Sequence, residues 1–230
     1  NPIIFYRPVE FSKHSPDNAL MGLNLNYRLG LMNIYGQLLI DDLNINRYEN
    51  TGDGFFQNKL AFQIGVRSKF CLHEHGFHLL AEYNQAQPYT YAHKHPMQNY
   101  THMNQALAHP LGANFKENIF MVNYRFRSWG ANLKYTYAIY GADSLDTHYG
   151  QNIFISDFLA EGEGGEFSYG NYNGQGIETH LHTFYAELNY DLKAAKIFLA
   201  YTLRNKSTQE NRNYLILGLK TNFLNPFIDF

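Results

Sequence analysis

The chain has 230 residues, of which 45% are hydrophobic and 17% are charged, and its formal net charge at pH 7 is −2. This balance offers no basic surface for nucleic acid, and a single cysteine, Cys71, excludes an intrachain disulfide. Polar residues interrupt every apolar run well before the roughly 20 residues that a membrane-spanning helix needs, so the sequence predicts no such helix.

Segments of about ten residues alternate apolar and polar side chains, which is the pattern of β-strands that have one apolar face. In one of them, Leu23 and Leu25 alternate with Asn24 and Asn26. Side chains two residues apart share a face of a strand, so such a segment is apolar on one side and polar on the other. The pattern predicts ten strands, at residues 2–7, 19–29, 31–41, 58–70, 76–86, 117–127, 131–140, 178–190, 195–204 and 212–223.

The predicted connections distinguish two all-β architectures. A soluble sandwich packs its apolar faces together, whereas a membrane barrel turns them to lipid and its polar faces inward. Short and long connections alternate along the whole chain, as in a barrel with turns at the periplasm and loops outside the cell. We therefore predict one antiparallel transmembrane β-barrel domain over residues 1–230, located in the outer membrane. Trp129 and Tyr190 are then expected at the periplasmic interface.

Two long predicted loops contain the candidate ligand-binding groups. The loop at residues 7–18 offers hydrogen-bonding side chains for a sugar-like ligand, although a salt-bridged connection would use the same residue types. The loop at residues 88–115 is rich in His, Tyr, Asn and Gln, which suit carbohydrate hydroxyls and equally suit a loop folded into its own lumen. The candidates are Arg7, Glu10, Asp17, Tyr100, His102, Asn104, His109 and Asn114.

Metal binding and catalysis are not expected from the sequence. Histidine-rich segments at 73–78, 93–95 and 180–182 lack an accompanying cysteine set, so we predict neither a metal site nor a cofactor. A protease on the barrel rim would need paired Asp carboxylates and an Asp-x-His motif, for which the candidates are Asp41 with Asp42 and Asp146 with His148. Asp41 and Asp42 are adjacent and point to opposite faces of a strand, so we predict no enzymatic activity.

Three segments carry a family resemblance. Phe5–Phe11, Ser15–Leu20 and Asn104–Phe115 resemble the C-terminal half of capsule-assembly (Wzi-like) outer-membrane proteins, a family that includes gliding-motility RemB-like proteins. The resemblance implies a barrel of about eighteen strands that holds surface polysaccharide on the cell. The chain is then expected to be the C-terminal part of such a barrel, with further strands outside this sequence. Alternatively, the ten predicted strands close on themselves into a small barrel that is plugged by its own side chains.

These observations predict a non-enzymatic outer-membrane protein that binds or organises surface or capsular polysaccharide through long extracellular loops and a polar lumen. Its expected partners are that polysaccharide, or lipopolysaccharide, and the lipid of the outer membrane. An alternative prediction is a structural barrel subunit of a gliding-motility or protein-secretion complex. In that case the loops would contact proteins of the machinery.

Overall fold

The computed structural model describes residues 18–43, 54–144, 147–158, 169–193 and 195–221, which form an all-β protein. A short 3-10 turn is present at Pro96–Gln98, and no helix in the described residues is long or apolar enough to cross a bilayer. The strands are β1 (Met21–Leu29), β2 (Met32–Asp42), β3 (Lys59–Leu72), β4 (His75–Ala86), β5 (Thr101–His102), β6 (Gln105–Ala106), β7 (Phe115–Phe126), β8 (Trp129–Ala142), β9 (Ile177–Asp191), β10 (Ala195–Lys206) and β11 (Arg212–Thr221).

Nine strands form one antiparallel sheet in the order β1-β2-β3-β4-β7-β8-β9-β10-β11. Strands β5 and β6 form a separate hairpin within the connection between β4 and β7. In the described part of the chain, β1 pairs only with β2 and β11 only with β10, so the sheet has two free edges. The predicted antiparallel all-β fold is confirmed, but the described strands do not close into a barrel.

Nine of the ten predicted strands correspond to the nine strands of the sheet, with ends that differ by up to two residues. β7 begins at Phe115, earlier than predicted, because Phe115 pairs with Ala86 on one side and Tyr140 on the other. The sequence pattern does not predict β5 and β6, since two residues are too few to show alternation. The predicted strand at residues 2–7 lies outside the described residues, as do Arg7, Glu10 and Asp17.

The antiparallel register places most of the large apolar side chains of the nine strands on one face of the sheet. Leu38 lies opposite Phe62, and Leu199 lies opposite Leu217. Large side chains on this face stay exposed: 50% of Phe120 and 76% of Leu217. The described chain therefore leaves this face, here called the apolar face, uncovered.

The opposite face carries most of the polar strand residues and is here called the polar face. Near one end of the sheet, however, its side chains are apolar. The long connections fold onto that end and form a cap, defined as the described residues 54–58, 87–114, 143–144, 147–158 and 169–176. Tyr91, Ala113 and Ile153 of the cap are buried there against the sheet. The row of strand residues beneath them is Leu39, Ala61, Ala86, Phe115 and Tyr140, which are cross-strand partners.

A buried ion pair joins the cap to the sheet. Lys59, at the start of β3, is 1% exposed, and its Nζ donates to Asp157 Oδ2 and to the Ala92 carbonyl, both at 2.7 Å. Removing a charge from water costs several kcal/mol, and a close counter-ion with a further hydrogen bond offsets that cost. The pair therefore fixes two cap segments on the same strand end.

Glycine at position 65 allows a tyrosine to cross the polar face. Tyr35 on β2 and Gly65 on β3 are cross-strand partners, and Gly65 is in turn opposite Glu82 on β4. The Tyr35 ring lies over Gly65, and its hydroxyl donates to Glu82 Oε2. A Cβ at position 65 would overlap the ring.

We predict that Gly65→Ala lowers the free energy of unfolding by about 1–3 kcal/mol, because the Tyr35 ring must move and the bond to Glu82 is lost. The measurement is urea unfolding, followed by circular dichroism. Gly76→Ala on β4 is the matched control, since the nearest atoms to a Cβ there lie 3.8 Å and 3.9 Å away. Equal effects of the two substitutions would contradict the packing of Tyr35 over Gly65.

Candidate functional site

A cavity of about 290 Å³ lies between the cap and the polar face. Its floor contains the amide side chains of Gln37, Gln63 and Asn84, from the adjacent strands β2, β3 and β4. The long connection between β4 and β7 supplies the remaining wall. Its lining residues are Tyr91, Tyr100, Leu107, Ala108 and His109.

Hydrogen bonds orient the floor of the cavity. Gln63 Nε2 donates to Asn84 Oδ1 at 3.0 Å, and Asn84 Nδ2 donates to Glu82 Oε1 at 2.9 Å and to Glu117 Oε2 at 3.2 Å. The side chain of Gln37 is exposed and forms no hydrogen bond with the described residues. Oriented amides beside a free one can both donate to and accept from a polar ligand.

Aromatic side chains form the opposite wall. Tyr100 is positioned by backbone hydrogen bonds, from its own nitrogen to the Tyr91 carbonyl at 2.9 Å and from the Leu107 nitrogen to its carbonyl at 3.3 Å. The rings of Tyr91 and Tyr100 lie 6.0 Å apart. Burial, together with the negative charge of Asp41, raises the pKa of Tyr91 to about 12, so this phenol remains a neutral donor at physiological pH.

His109 connects the aromatic wall to the floor. Its ring stacks on Phe115 with centroids 4.3 Å apart, and its Nε2 lies 3.0 Å from Glu117 Oε2. Flat rings beside amides and a carboxylate suit the C–H faces and hydroxyls of a carbohydrate. No group of three or more His, Cys, Asp and Glu side chains in the described ranges could hold a metal ion.

The structure separates the predicted site residues of the second loop. Tyr100 and His109 both line the cavity. His102 and Asn104 lie in and beside the β5–β6 hairpin, are exposed, and are not part of the cavity lining. The loop thus brings two of its predicted residues to one place and leaves two on its outer surface.

Asn114 is part of the cap framework. It is 0% exposed and adopts a left-handed backbone with φ of 56°. Its Nδ2 donates to the carbonyls of Gly141, Tyr149 and Gln175 at 3.0–3.1 Å, and its Oδ1 accepts from the Gly174 nitrogen at 2.7 Å. Both polar atoms are occupied by the protein, so we leave Asn114 out of the proposed binding site.

Sequence reasoning did not select the amides of the cavity floor. Gln37, Gln63 and Asn84 occupy ordinary polar positions of alternating strands, and the pattern assigns them to the polar face. What marks them is their nearness to the loop, which packs over this part of the sheet. The sequence contains no local signal for that contact.

The groups considered for a rim protease have structural roles where they are described. Asp41 is 2% exposed, accepts from the Tyr91 nitrogen at 2.7 Å and lies 3.1 Å from His93 Nε2. His148 is 5% exposed and pairs through Nδ1 with Asp143 at 3.1 Å. Asp146 lies outside the described residues. Neither Asp41 nor His148 is open to a substrate.

Asp143 organises the cap loop at 147–152. Its carboxylate accepts from the backbone nitrogens of Tyr149 at 2.6 Å and Asn152 at 3.1 Å, as well as contacting His148. Burial raises the pKa of Asp143, but the hydrogen bond and charge of His148 and the two backbone hydrogen bonds outweigh it, so the pKa is lowered. Folding of this loop therefore favours the ionised carboxylate.

We predict that Asp143→Asn loosens the cap by roughly 1–3 kcal/mol at neutral pH and reduces its sensitivity to acid. With a lowered folded pKa, the carboxylate stabilises the loop above the ordinary Asp pKa of about 3.9, and this contribution is lost as pH falls through the lowered value. Hydrogen exchange of residues 147–152 as a function of pH measures both effects. Glu210→Gln, in the exposed connection between β10 and β11, is the control, and an equal change there would contradict the role of Asp143.

No protein-family model matches the sequence, and no curated protein is significantly similar to it. The class of this protein is therefore described from its fold and its cavity. The described residues form an all-β protein with one antiparallel meander, an apolar face that they leave uncovered, and a polar face that carries an amide- and aromatic-lined cavity beneath a cap.

Proposed function

We propose that this protein is a non-enzymatic outer-membrane β-barrel protein that binds or organises surface polysaccharide through its cap and polar face. The uncovered apolar face supports the membrane part of the proposal, because a soluble protein rarely exposes an apolar surface this continuous. The cavity beneath the cap carries the binding part. Its aromatic wall and oriented amides match the two kinds of surface that a sugar presents.

Aromatic side chains at both ends of the apolar face support contact with lipid. Phe70 stacks on Phe77 near the short connections, and Trp129 packs edge-on against Tyr190 with centroids 4.9 Å apart. Tyr137 lies on the same face of β8, eight residues further along the strand. At about 3.3 Å per residue, the positions of Trp129 and Tyr137 are roughly 26 Å apart along the strand. This is close to the height of the apolar band of outer-membrane barrels.

The proposal requires partners for the two free edges of the sheet. Within a bilayer, an unpaired strand edge leaves backbone groups without hydrogen bonds, and each such group costs several kcal/mol. β1 and β11 are exposed along almost their whole length. In the proposed barrel these edges pair with strands outside the described residues, as the resemblance to a barrel of about eighteen strands implies.

Trp129 is the single tryptophan of the chain and is 49% exposed on the apolar face, so it reports lipid contact directly. We predict that vesicles containing brominated lipid quench its fluorescence, most strongly with bromine near the headgroups. In the variant Trp129→Phe with Leu133→Trp, which moves the indole midway between Trp129 and Tyr137 on the same face of β8, bromine near the bilayer centre should quench more strongly. Trp129→Phe with Lys134→Trp places the indole on the polar face and is the control. Quenching of that control, or no quenching of Trp129, would contradict one-sided lipid contact.

Polysaccharide binding is tested at the aromatic wall of the cavity. We predict that Tyr100→Ala weakens binding of surface polysaccharide extracted from the source organism about ten-fold, because a stacking contact of about 1.4 kcal/mol is lost. Calorimetry with the detergent-solubilised protein measures the Kd. Met97→Ala is the control, since Met97 is 82% exposed on the same connection and does not line the cavity. Absence of binding by the unsubstituted protein would refute this function, and equal losses in the two variants would refute the site.

A structural barrel subunit of a gliding-motility or protein-secretion complex is the second candidate. Exposed apolar side chains on the cap favour it: Met97 is 82%, Met103 84% and Tyr172 64% exposed. Such residues are typical of protein contacts. Stable protein partners after purification in mild detergent would support this function, whereas a protein that carries bound glycan without partners would support the first.

A further inference from the structure

Basic side chains gather on the polar face near the short connections, at the end of the sheet away from the cap. Arg28 is the penultimate residue of β1, and Arg67 and Lys69 lie in the second half of β3. Arg28 is opposite Asn33, which is opposite Arg67, so the two arginines are two strand spacings, or about 10 Å, apart. Three cations thus occupy one corner of the polar face.

Two adjoining cavities open at these cations. One, of about 310 Å³, has four basic side chains in its lining, and the other, of about 340 Å³, shares Lys69 and His78 with it. No carboxylate of the described residues lines either cavity. The basic side chains of the two cavities, here called the basic strip, are Arg28, Arg67, Lys69, His78, Arg125 and Lys196.

Acidic partners are distributed unevenly along the basic strip. Arg125 and Lys196 both pair with Asp191, Lys196 at 3.2 Å. Arg28 and Lys69 form no ion pair with any residue that the structure describes. One end of the strip therefore has one carboxylate for two cations, and Arg28 and Lys69 at the other end have none among the described residues.

Neutral groups hold Arg67 in place. Its guanidinium lies over the Tyr35 ring, 5.7 Å from the centroid. The Asn33 side-chain amide is oriented so that its nitrogen faces acceptors and its oxygen faces donors. In this orientation its oxygen accepts from Nε and Nη2 of Arg67, both at 3.0 Å. These contacts fix the position of the guanidinium without neutralising it, which leaves its charge available to an oxyanion.

We propose that the basic strip binds the acidic groups of a glycan chain, whether carboxylate, sulfate or phosphate. The requirement for an anion rests on the charges, because adjacent cations without counter-ions repel each other and an oxyanion relieves that repulsion. The assignment to a glycan rests on the proposed function. It also fits the amides of Asn123, Asn132 and Asn189 in the larger cavity, which suit hydroxyl groups.

The extent of the strip favours a chain over a single small anion. It runs from β1 to β10, which are separated by seven strand spacings in the sheet, or roughly 33 Å. A single phosphate or sulfate would span only one pair of these cations. An extended acidic polymer could contact several of them in succession.

Cys71 provides a reporter within the site. It is the single cysteine of the chain, is exposed, and lines the larger cavity beside Lys69. In the detergent-solubilised full chain, we expect dextran sulfate to slow maleimide labelling of Cys71 about ten-fold and uncharged dextran to leave the rate unchanged, because only the sulfated polymer can pair with the cations. Cys71→Ser combined with Met97→Cys moves the thiol to the cap, where dextran sulfate should not protect it.

Charge substitutions test which cations are used. Arg67→Gln and Lys69→Gln should each raise the dextran sulfate concentration needed for half protection roughly ten-fold. Lys116→Gln, an exposed cation of β7 on the other face of the sheet, should leave it unchanged. Raising the salt concentration should also weaken protection, as expected for partly exposed charges.

Four outcomes would overturn the proposal. They are an unlabelled Cys71 in the folded protein without polymer, equal protection by dextran and dextran sulfate, equal protection by inorganic sulfate at the same sulfate concentration, and equal protection by a single-stranded oligonucleotide. The first would mean that the chain itself covers the strip, and the third that it holds a small anion. These results are independent of Tyr100→Ala, so failure here leaves the proposed function standing.

Discussion

Cross-strand register is the constraint on which the rest of this structure depends. Apart from a register shift between Ile40 and Asp42, the nine strands pair without changing which side chains share a face, so Leu38, Phe62 and their equivalents stay together. A slip of one residue in any pair would send a whole strand's apolar side chains to the wrong face. One face is consequently free for lipid in the proposed membrane setting, and the other is free for polar chemistry.

The connections are long at one end of the sheet and short at the other, and the two ends of the polar face differ chemically as a result. The long connections fold back at one end. There they form hydrogen bonds with the buried cation of Lys59 and the buried carboxylate of Asp41. There the polar face becomes a cavity of amides and rings. At the other end the connections are too short to cover anything, and uncompensated cations remain open. A glycan that crosses this face would contact neutral amides and aromatic rings at one end and cations at the other.

Acidic side chains lie between the two ends of the polar face. Glu82 and Glu117 are held by Asn84, and Glu187 accepts from Asn132 at 2.9 Å and from Asn189 at 2.8 Å. None of these three carboxylates forms an ion pair with Arg28, Arg67 or Lys69. These cations of the basic strip therefore stay without an acidic partner in the described residues, although the chain as a whole has a net charge of −2.

The sequence by itself determined the strands, their faces and the alternation of short and long connections, because side-chain alternation is a property of neighbours in the chain. It also selected Tyr100 and His109, which the structure brings to one cavity. Only the tertiary structure decided which residues meet: Asn114 bonds to Gln175, 61 positions away, and becomes framework instead of ligand site. The floor amides and the basic strip likewise arise from strand pairing and loop packing, contacts between distant segments that no local pattern encodes.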